Sequence, residues 1–268
     1  LAAVLPVWVL LTPRDYLSTL MKVGTITILA LGIIIVRPLV EMAAVTEFAF
    51  NTDGPVFAGK LFPFLFITIA CGALSGMHAM VSSGTSPKMV EKETQVRMIG
   101  YGGMLMESFV AIMALAAAVS LSPGIYFSMN TSTATMNKIA GPETVASAPC
   151  KTTDDPDHHC EKLAEAAVAK LGVTDAQGRK LNPEWDSWDD QGNPKTYTGA
   201  EALERLASDV GEPNVVSRTG GAPTLSVGIA HILHKIGGGR AMMGFWYHFA
   251  IMFEALFILS AVDAVTRV

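Results

Sequence analysis

Residues 61–120 read LFPFLFITIACGALSGMHAMVSSGTSPKMVEKETQVRMIGYGGMLMESFVAIMALAAAVS. Two apolar runs flank a basic link, and each reaches the roughly 20 residues a helix needs to cross a bilayer. The first, from Leu61 to Pro87, is neutral except for His78; the second, from Met98 to Leu121, holds Glu107. A charge at the centre of a span costs about 2.5–3.5 kcal/mol even on lenient insertion scales, so such a group marks a polar pathway by default. The stretch predicts an all-α polytopic membrane protein, and one that moves something across the bilayer.

Outward from these runs, six apolar segments can be placed. Leu1 to Leu11 is cut short, Leu17 to Val36 ends before Pro38, and Phe62 to Ser82 and Met98 to Leu121 follow. Thr224 to Ile236 is short and bracketed by TGGAP and GGGR, which suits a half-helix or re-entrant segment. Met242 to Val262 is the last. The chain opens on Leu1 inside an apolar run and stops without a tail, as expected of an internal piece of a longer protein.

Half of the 268 residues are hydrophobic and 16% are charged, against about 25% in soluble domains; mean hydropathy is +0.39. From Leu121 to Gly220 there are fifteen acidic and nine basic residues, a net of −6, which leaves nine acids and ten bases elsewhere. The expected organisation is therefore transmembrane helices over 1–120, an acidic extramembrane insert over 121–220, and a half-helix plus a final span over 221–268. No basic stripe exists to neutralise phosphates, which argues against a nucleic-acid partner. Arg14, Lys22, Lys88, Lys92 and Arg97 fall in short links on one side, so the positive-inside rule puts the insert outside the cell.

Within the insert, Cys150 and Cys160 admit a disulfide, which an extracytoplasmic site permits. A zinc site with His158 and His159, or two free thiols, are the other readings. Cys71 lies in the third segment as a packing residue. EKLAEAAVAKLG and TGAEALERLASDVG predict short helices, the second with a capping box from Thr198 to Glu201. WDSWDDQGNPK reads as an acidic solvated turn; it lacks the full EF-hand pattern for calcium.

Helical phase sorts the intramembrane groups. Gly100, Gly103, Glu107, Ala111, Ala114 and Ala118 share one face, and small residues let another backbone approach closely. Glu107 is then either a structural acid satisfied by a neighbouring helix or a proton-linked group. Glu254, central in the last segment, and His78 are the other proton-coupling candidates. SSGTSPK after His78 disfavours continued helix, and broken helices hold substrates and ions in transporters. Ser75, Ser82, Ser83, Gly84 and Thr85 are substrate-binding candidates at that break. Gly221, Thr224 and His231 are candidates at the break before the fifth segment, and Tyr247 and His248 in the sixth. His231 and His234, spaced i, i+3, are a weak metal signal without partners, so no metal is expected. HExxH, GxSxG, GxGxxG after a strand and a Walker loop are all absent from the sequence.

GPVFAGKLFPFLFITIACGALSGMHAMVSSGTSPKMVEKETQVRMIGYGGMLMESFVAIMALAAA resembles the carbon starvation protein A family of bacterial membrane transporters. LPVWVLLTPRDYLSTLMKVGTI, GAPTLSVGIAHIL and FWYHFAIMFEALFILSAVDAVTRV resemble the same family, while the insert matches least clearly. The resemblance implies a cytoplasmic-membrane protein longer than this chain that takes up small peptides or pyruvate, with protons as the coupling ion and sodium left open. It implies an inverted-repeat core with broken helices, through the family's relation to the amino acid–polyamine–organocation superfamily. The expected partners are the small-molecule substrate and the lipid bilayer, without an organic cofactor; oligomeric state is left open. A membrane enzyme built around a His/Glu metal set, and a sensor or structural subunit whose insert binds a partner, are the competing classes.

Overall fold

The structure, a computed structural model, describes residues 5–52, 54–57, 59–63, 66, 76–141, 159–172, 178, 182–189 and 191–266. In chain order the described elements are α1 (Val7–Val36), α2 (Gly76–Gly84), α3 (Glu93–Val119), α4 (Pro123–Asn130), α5 (Thr133–Ala140) and α6 (His159–Leu171). Strands β1 (Glu184–Trp188) and β2 (Pro194–Thr198) follow, then α7 (Ala200–Val210), α8 (Gly221–Leu233) and α9 (Gly239–Val265). Among the described residues three helices are long and apolar enough to cross a membrane: Thr12–Val36 of α1, and the whole of α3 and α9. The protein is a mostly helical, multi-pass membrane protein.

The chain divides into two compact units, one of residues 1–31, 62–114 and 251–268 and the other of 32–61 and 115–250. In the first unit apolar side chains point outward. Met98, Tyr101, Leu105 and Ile112 are each more than half exposed. Polar cross-links join its described elements. Arg14 Nη2 donates to Asp263 Oδ2 at 2.9 Å, and Thr85 Oγ1 donates to the Ala264 carbonyl at 2.9 Å. These bonds bring the start of α1, the turn after α2 and the end of α9 to one place.

Arg14 was expected in a link between two apolar segments. Instead α1 runs unbroken from Val7, with Pro13 inside it. A proline removes one ladder bond, and here it does not end the helix. The third apolar segment lies largely outside the described residues, with α2 as its described end.

The second unit has an ordinary interior: Leu121, Ile125, Met129, Met136, Leu163, Leu203, Leu206, Ile232 and Leu233 are fully buried. Each such side chain stabilises the fold by about 1.5–3 kcal/mol relative to exposure. β1 and β2 form an antiparallel hairpin in which Glu184 faces Thr198 and Trp188 faces Pro194. The expected acidic turn closes it as an Asx turn: Asp189 Oδ1 accepts from Gln191 N at 2.9 Å and Asn193 N at 2.8 Å. Those bonds, with Asn193 the first cause, hold the Asp189 carboxyl below the usual range.

The capping box expected at Thr198 does not form. Thr198 belongs to β2, and Gly199, with φ 65°, precedes α7. Ala200 N instead donates to Glu165 Oε2 at 3.1 Å, so a carboxylate from α6 serves as the cap. Pairing with Glu184 keeps Thr198 in the extended strand, so the chain enters α7 through Gly199 and Thr198 is not at the cap position.

Cys160 is fully buried and disulfide-bonded. Cys150, Cys71 and His158 lie outside the described residues. Among the described residues no group of three His, Cys, Asp or Glu is placed to hold a metal ion.

Candidate functional site

The second unit contains a cavity of about 170 Å³ whose lining includes Glu41, Ser122, Glu184, Trp185, Asp186, His231 and Lys235. Its walls come from four places in the chain, and specific contacts bring them together. Glu41 N donates to the Val119 carbonyl at 2.9 Å, which holds the stretch after α1 against the end of α3. Ser122 Oγ caps α4 by accepting from Ile125 N, and it also accepts from Glu184 N at 3.2 Å, tying β1 to the α4 start.

Two glycines allow these approaches. A Cβ on Gly124 would lie 2.5 Å from Pro183 N, and one on Gly228 would lie 2.5 Å from the Ala117 carbonyl oxygen. Only glycine lets β1 approach α4, and α8 approach α3, at that distance.

The floor of the site rests on a buried ionic knot. Asp209 is inaccessible at its side chain, with Arg240 Nε 2.7 Å and Arg205 Nε 3.5 Å from its Oδ1. Its Oδ2 accepts from Trp185 Nε1 at 3.0 Å and from the Ser187 hydroxyl. Arg205 also donates to the Trp188 carbonyl. A buried carboxylate persists only when paired and hydrogen-bonded, and here the pairing fixes the indole of Trp185. That indole packs 5.1 Å from the His231 ring, and Trp188 packs edge-on to His234 at 5.3 Å.

His231 and Lys235 supply the site's basic groups. Lys235 Nζ lies 3.1 Å from His231 Nε2. An ammonium only donates, so Nε2 accepts and the ring proton sits on Nδ1. That nitrogen is buried without a hydrogen-bond partner. Burial, then Lys235 and His234, push His231 down to about 3. Burial also lowers the Lys235 pKa, with Asp186 and Glu41 opposing. The cavity lining therefore carries an ammonium and three carboxylates, beside a neutral imidazole whose Nδ1 is closed off from solvent.

The residues singled out from sequence are dispersed. His231 alone lines this cavity. Thr224 is buried in the same unit, accepting from Asn130 Nδ2 at 2.9 Å, and Gly221 is exposed at the start of α8. Tyr247 is buried, while His248 is exposed with Nδ1 donating to the Gly244 carbonyl at 2.8 Å.

In the other unit, His78 and Glu107 are exposed and Glu254 is half-buried. Ser82 and Ser83 donate back to the Ala79 carbonyl, and Gly84 ends α2. Thr85 spends its hydroxyl on Ala264. Ser75 lies outside the described residues. His231 and His234 sit 5.6 Å apart, ring to ring, and His234 Nδ1 donates to the Ala230 carbonyl.

Sequence reading did not single out Glu41, Glu184 or Trp185. One signal was available, the i, i+4 spacing of His231 and Lys235 on one face; Glu41 carried none, because its place depends on a contact with Val119.

The family model for carbon starvation protein CstA matches residues 1–178 and 186–268. The chain belongs to the carbon starvation protein CstA family. Similar members include the peptide transporter CstA of Escherichia coli strain K12, 52% identical over 99% of this chain and 32% of that protein. The peptide transporter CstA of Mycobacterium tuberculosis strain H37Rv is 51% identical over 99% of this chain and 30% of its own length. The pyruvate/proton symporter BtsT of E. coli K12 is 49% identical over 99% of this chain and 34% of its own length. This CstA-family chain thus spans about a third of the length of the curated relatives it matches. No solved structure matches it.

Proposed function

We propose that this chain is part of a secondary active transporter that takes up small peptides or pyruvate with protons across a bacterial cytoplasmic membrane. The carrying observation is the 49–52% identity, over 99% of the chain, to proteins named peptide transporter and pyruvate/proton symporter. The transporter moves its substrate without chemical change.

Topology supports the reading. Three described helices are long and apolar enough to cross a membrane, and Glu107 and Glu254 lie near the middle of α3 and α9, where an ionisable group in lipid has a functional role by default. These two carboxyls are the proposed proton carriers, with His78 as the third candidate. The disulfide at Cys160 fits an extracytoplasmic second unit. Lys88 and Lys92 in the link between α2 and α3, with Arg97 near the start of α3, fit a cytoplasmic end there.

The test is uptake of radiolabelled pyruvate and dipeptide by the full-length protein in proteoliposomes, with and without an inward proton gradient. Accumulation should require the gradient, and Glu107→Gln should abolish it while substrate equilibration persists. Uptake that ignores the proton gradient and follows sodium would overturn proton coupling. Unchanged accumulation in the Gln variant would remove Glu107 from the mechanism.

A further inference from the structure

We propose that Lys22 is the counter-ion of Glu254. It closes an ion pair with that carboxylate across the contact between α1 and α9 once the carboxyl has released its proton, so that the proton-free carrier returns without an unpaired charge in the bilayer. The proposal rests on the proton-coupled reading above and adds to it the residue that holds the charge left behind.

Lys22 was expected in a basic link. It lies instead inside α1, within the apolar stretch Thr12–Val36. From Tyr16 to Val36 it is the single charged residue. Ser18, Thr25 and Leu29 are buried, and at steps of three and four residues they share their face of the helix with Lys22. The half-buried lysine therefore issues from the packed side of α1. An ionisable group placed so within a span marks a polar pathway and takes a partner of opposite charge.

Two contacts set the register of α1 against α9. Arg14 Nη2 donates to Asp263 Oδ2 at 2.9 Å, and Lys22 Nζ lies 5.1 Å from the centroid of the Phe257 ring. These pairs run in opposite order along the two helices, so α1 and α9 lie antiparallel. Lys22 follows Arg14 by eight residues, and Glu254 precedes Asp263 by nine. With a helical rise of about 1.5 Å per residue, both stand roughly 12–14 Å from the same ion pair, at one level. Glu254 comes three residues before Phe257, which makes their side chains neighbours on the surface of α9.

Among the described residues neither Lys22 nor Glu254 has an ion pair. The other charged groups nearby are committed or face elsewhere. Arg14 is on Asp263 with Asp15 beside it, and His78 and Glu107 are exposed. The Phe257 ring face attracts the ammonium, more weakly than a charge-assisted bond to a carboxylate would. A flexible four-carbon stem lets the ammonium turn from the ring to the carboxylate one turn away. Lys22 on Phe257 is thus the arrangement that suits a protonated, neutral Glu254. On release the carboxyl proton passes to water on the cytoplasmic side, Lys22 keeps its own proton, and the two charges close on each other.

The experiment compares two rates in proteoliposomes holding the full-length protein, with radiolabelled L-alanyl-L-alanine and pyruvate as probes. One is accumulation driven by an inward proton gradient; the other is exchange of external labelled for internal unlabelled substrate at equal pH. Exchange proceeds with the carboxyl protonated throughout and does not need the counter-ion. Lys22→Met should lower accumulation at least about tenfold, the scale of one lost charge-assisted contact, and leave exchange within about twofold. Lys22→Arg should keep most of the accumulation. The double variant Lys22→Met with Glu254→Gln should match Glu254→Gln alone, exchanging without accumulating, because no charge is left to pair.

Accumulation by Lys22→Met at the unmodified protein's rate would overturn the proposal. A loss of exchange in Lys22→Met that the added Glu254→Gln does not restore would do the same, since the cation then serves folding or substrate binding. The failure of the underlying reading looks different. Full accumulation by Glu254→Gln removes the carboxyl from proton coupling, and an unmodified protein that ignores the proton gradient removes proton coupling itself.

Discussion

Asp209 shows how much one residue organises in the second unit. Its two oxygens gather Arg240, Arg205, Trp185 and Ser187, drawn from α7, α9 and β1. Replacing it with alanine leaves two arginines without their buried partner and an indole N–H without an acceptor. Breaking a buried pair in this way costs about 3–5 kcal/mol. Asp209→Ala should lower the unfolding midpoint of the second unit and red-shift Trp185 emission in denaturant titrations; an unchanged midpoint would show that the knot carries no net stability.

His231 makes a pH prediction whose sign follows from its environment. Its folded pKa is depressed to about 3, with burial the leading cause. Below the unfolded value near 6.5 the unfolded chain binds a proton that the folded chain refuses. The neutral ring is therefore fully compatible with the fold above about pH 6.5, and stability declines as pH falls from there toward 3. Denaturation midpoints measured between pH 4.5 and 7.5 should rise with pH, and His231→Asn should flatten part of that slope, by up to about one proton. A variant with the full slope would assign it to other groups.

Among the elements, α8 and the β-hairpin do most to form the cavity, and both depend on small contacts. Ser122 caps α4 and at the same time receives the first backbone N–H of β1. Ser122→Ala should cost about 1 kcal/mol through the cap alone, and more because Glu184 N loses its acceptor. Its midpoint shift should exceed that of Ser132→Ala, which removes the α5 cap and no interelement bond. Equal shifts would show that the tie to β1 is not stabilising.

α8 is apolar on nearly every side because the second unit surrounds it. At 13 residues it falls short of a span. Thr224, Ser226, Val227, Ile229, Ala230, Ile232 and Leu233 are all buried, and Gly228 seats it on the Ala117 carbonyl. Its composition would suit a membrane segment equally well. Packing, with Asn130 and the two tryptophans of β1 around it, places it in the folded unit.

At the scale of the whole molecule, the two units follow opposite rules. One turns apolar side chains outward along α1, α3 and α9; the other encloses a buried core, though Leu39, Phe50 and Leu115 stay exposed on it. If the second unit is extracytoplasmic, an impermeant maleimide should label Gln191→Cys in intact cells and Glu91→Cys only after permeabilisation. The reverse pattern would invert the topology.

The apolar spans, the acidic insert and the family were legible in the chain itself, because hydrophobic length, charge segregation and long strings that resemble the family are local properties that survive without knowledge of contacts. The helix over 159–171 was legible from its one-sided apolar spacing. The continuity of α1 through Pro13 was not, nor was the loss of the Thr198 cap, because each depends on competition between a local signal and partners elsewhere: Asp263 for Arg14, Glu184 for Thr198. The cavity is the extreme case. Glu41, Trp185 and His231 are remote in sequence, and only the closures at Val119, Pro183 and Ala117 bring them together. Sequence by itself determined that ionisable groups such as His78 and Glu107 lie in apolar runs. Tertiary structure alone decided that His231, Lys235 and three carboxylates share one small space, because meeting in space is set by packing and not by spacing along the chain.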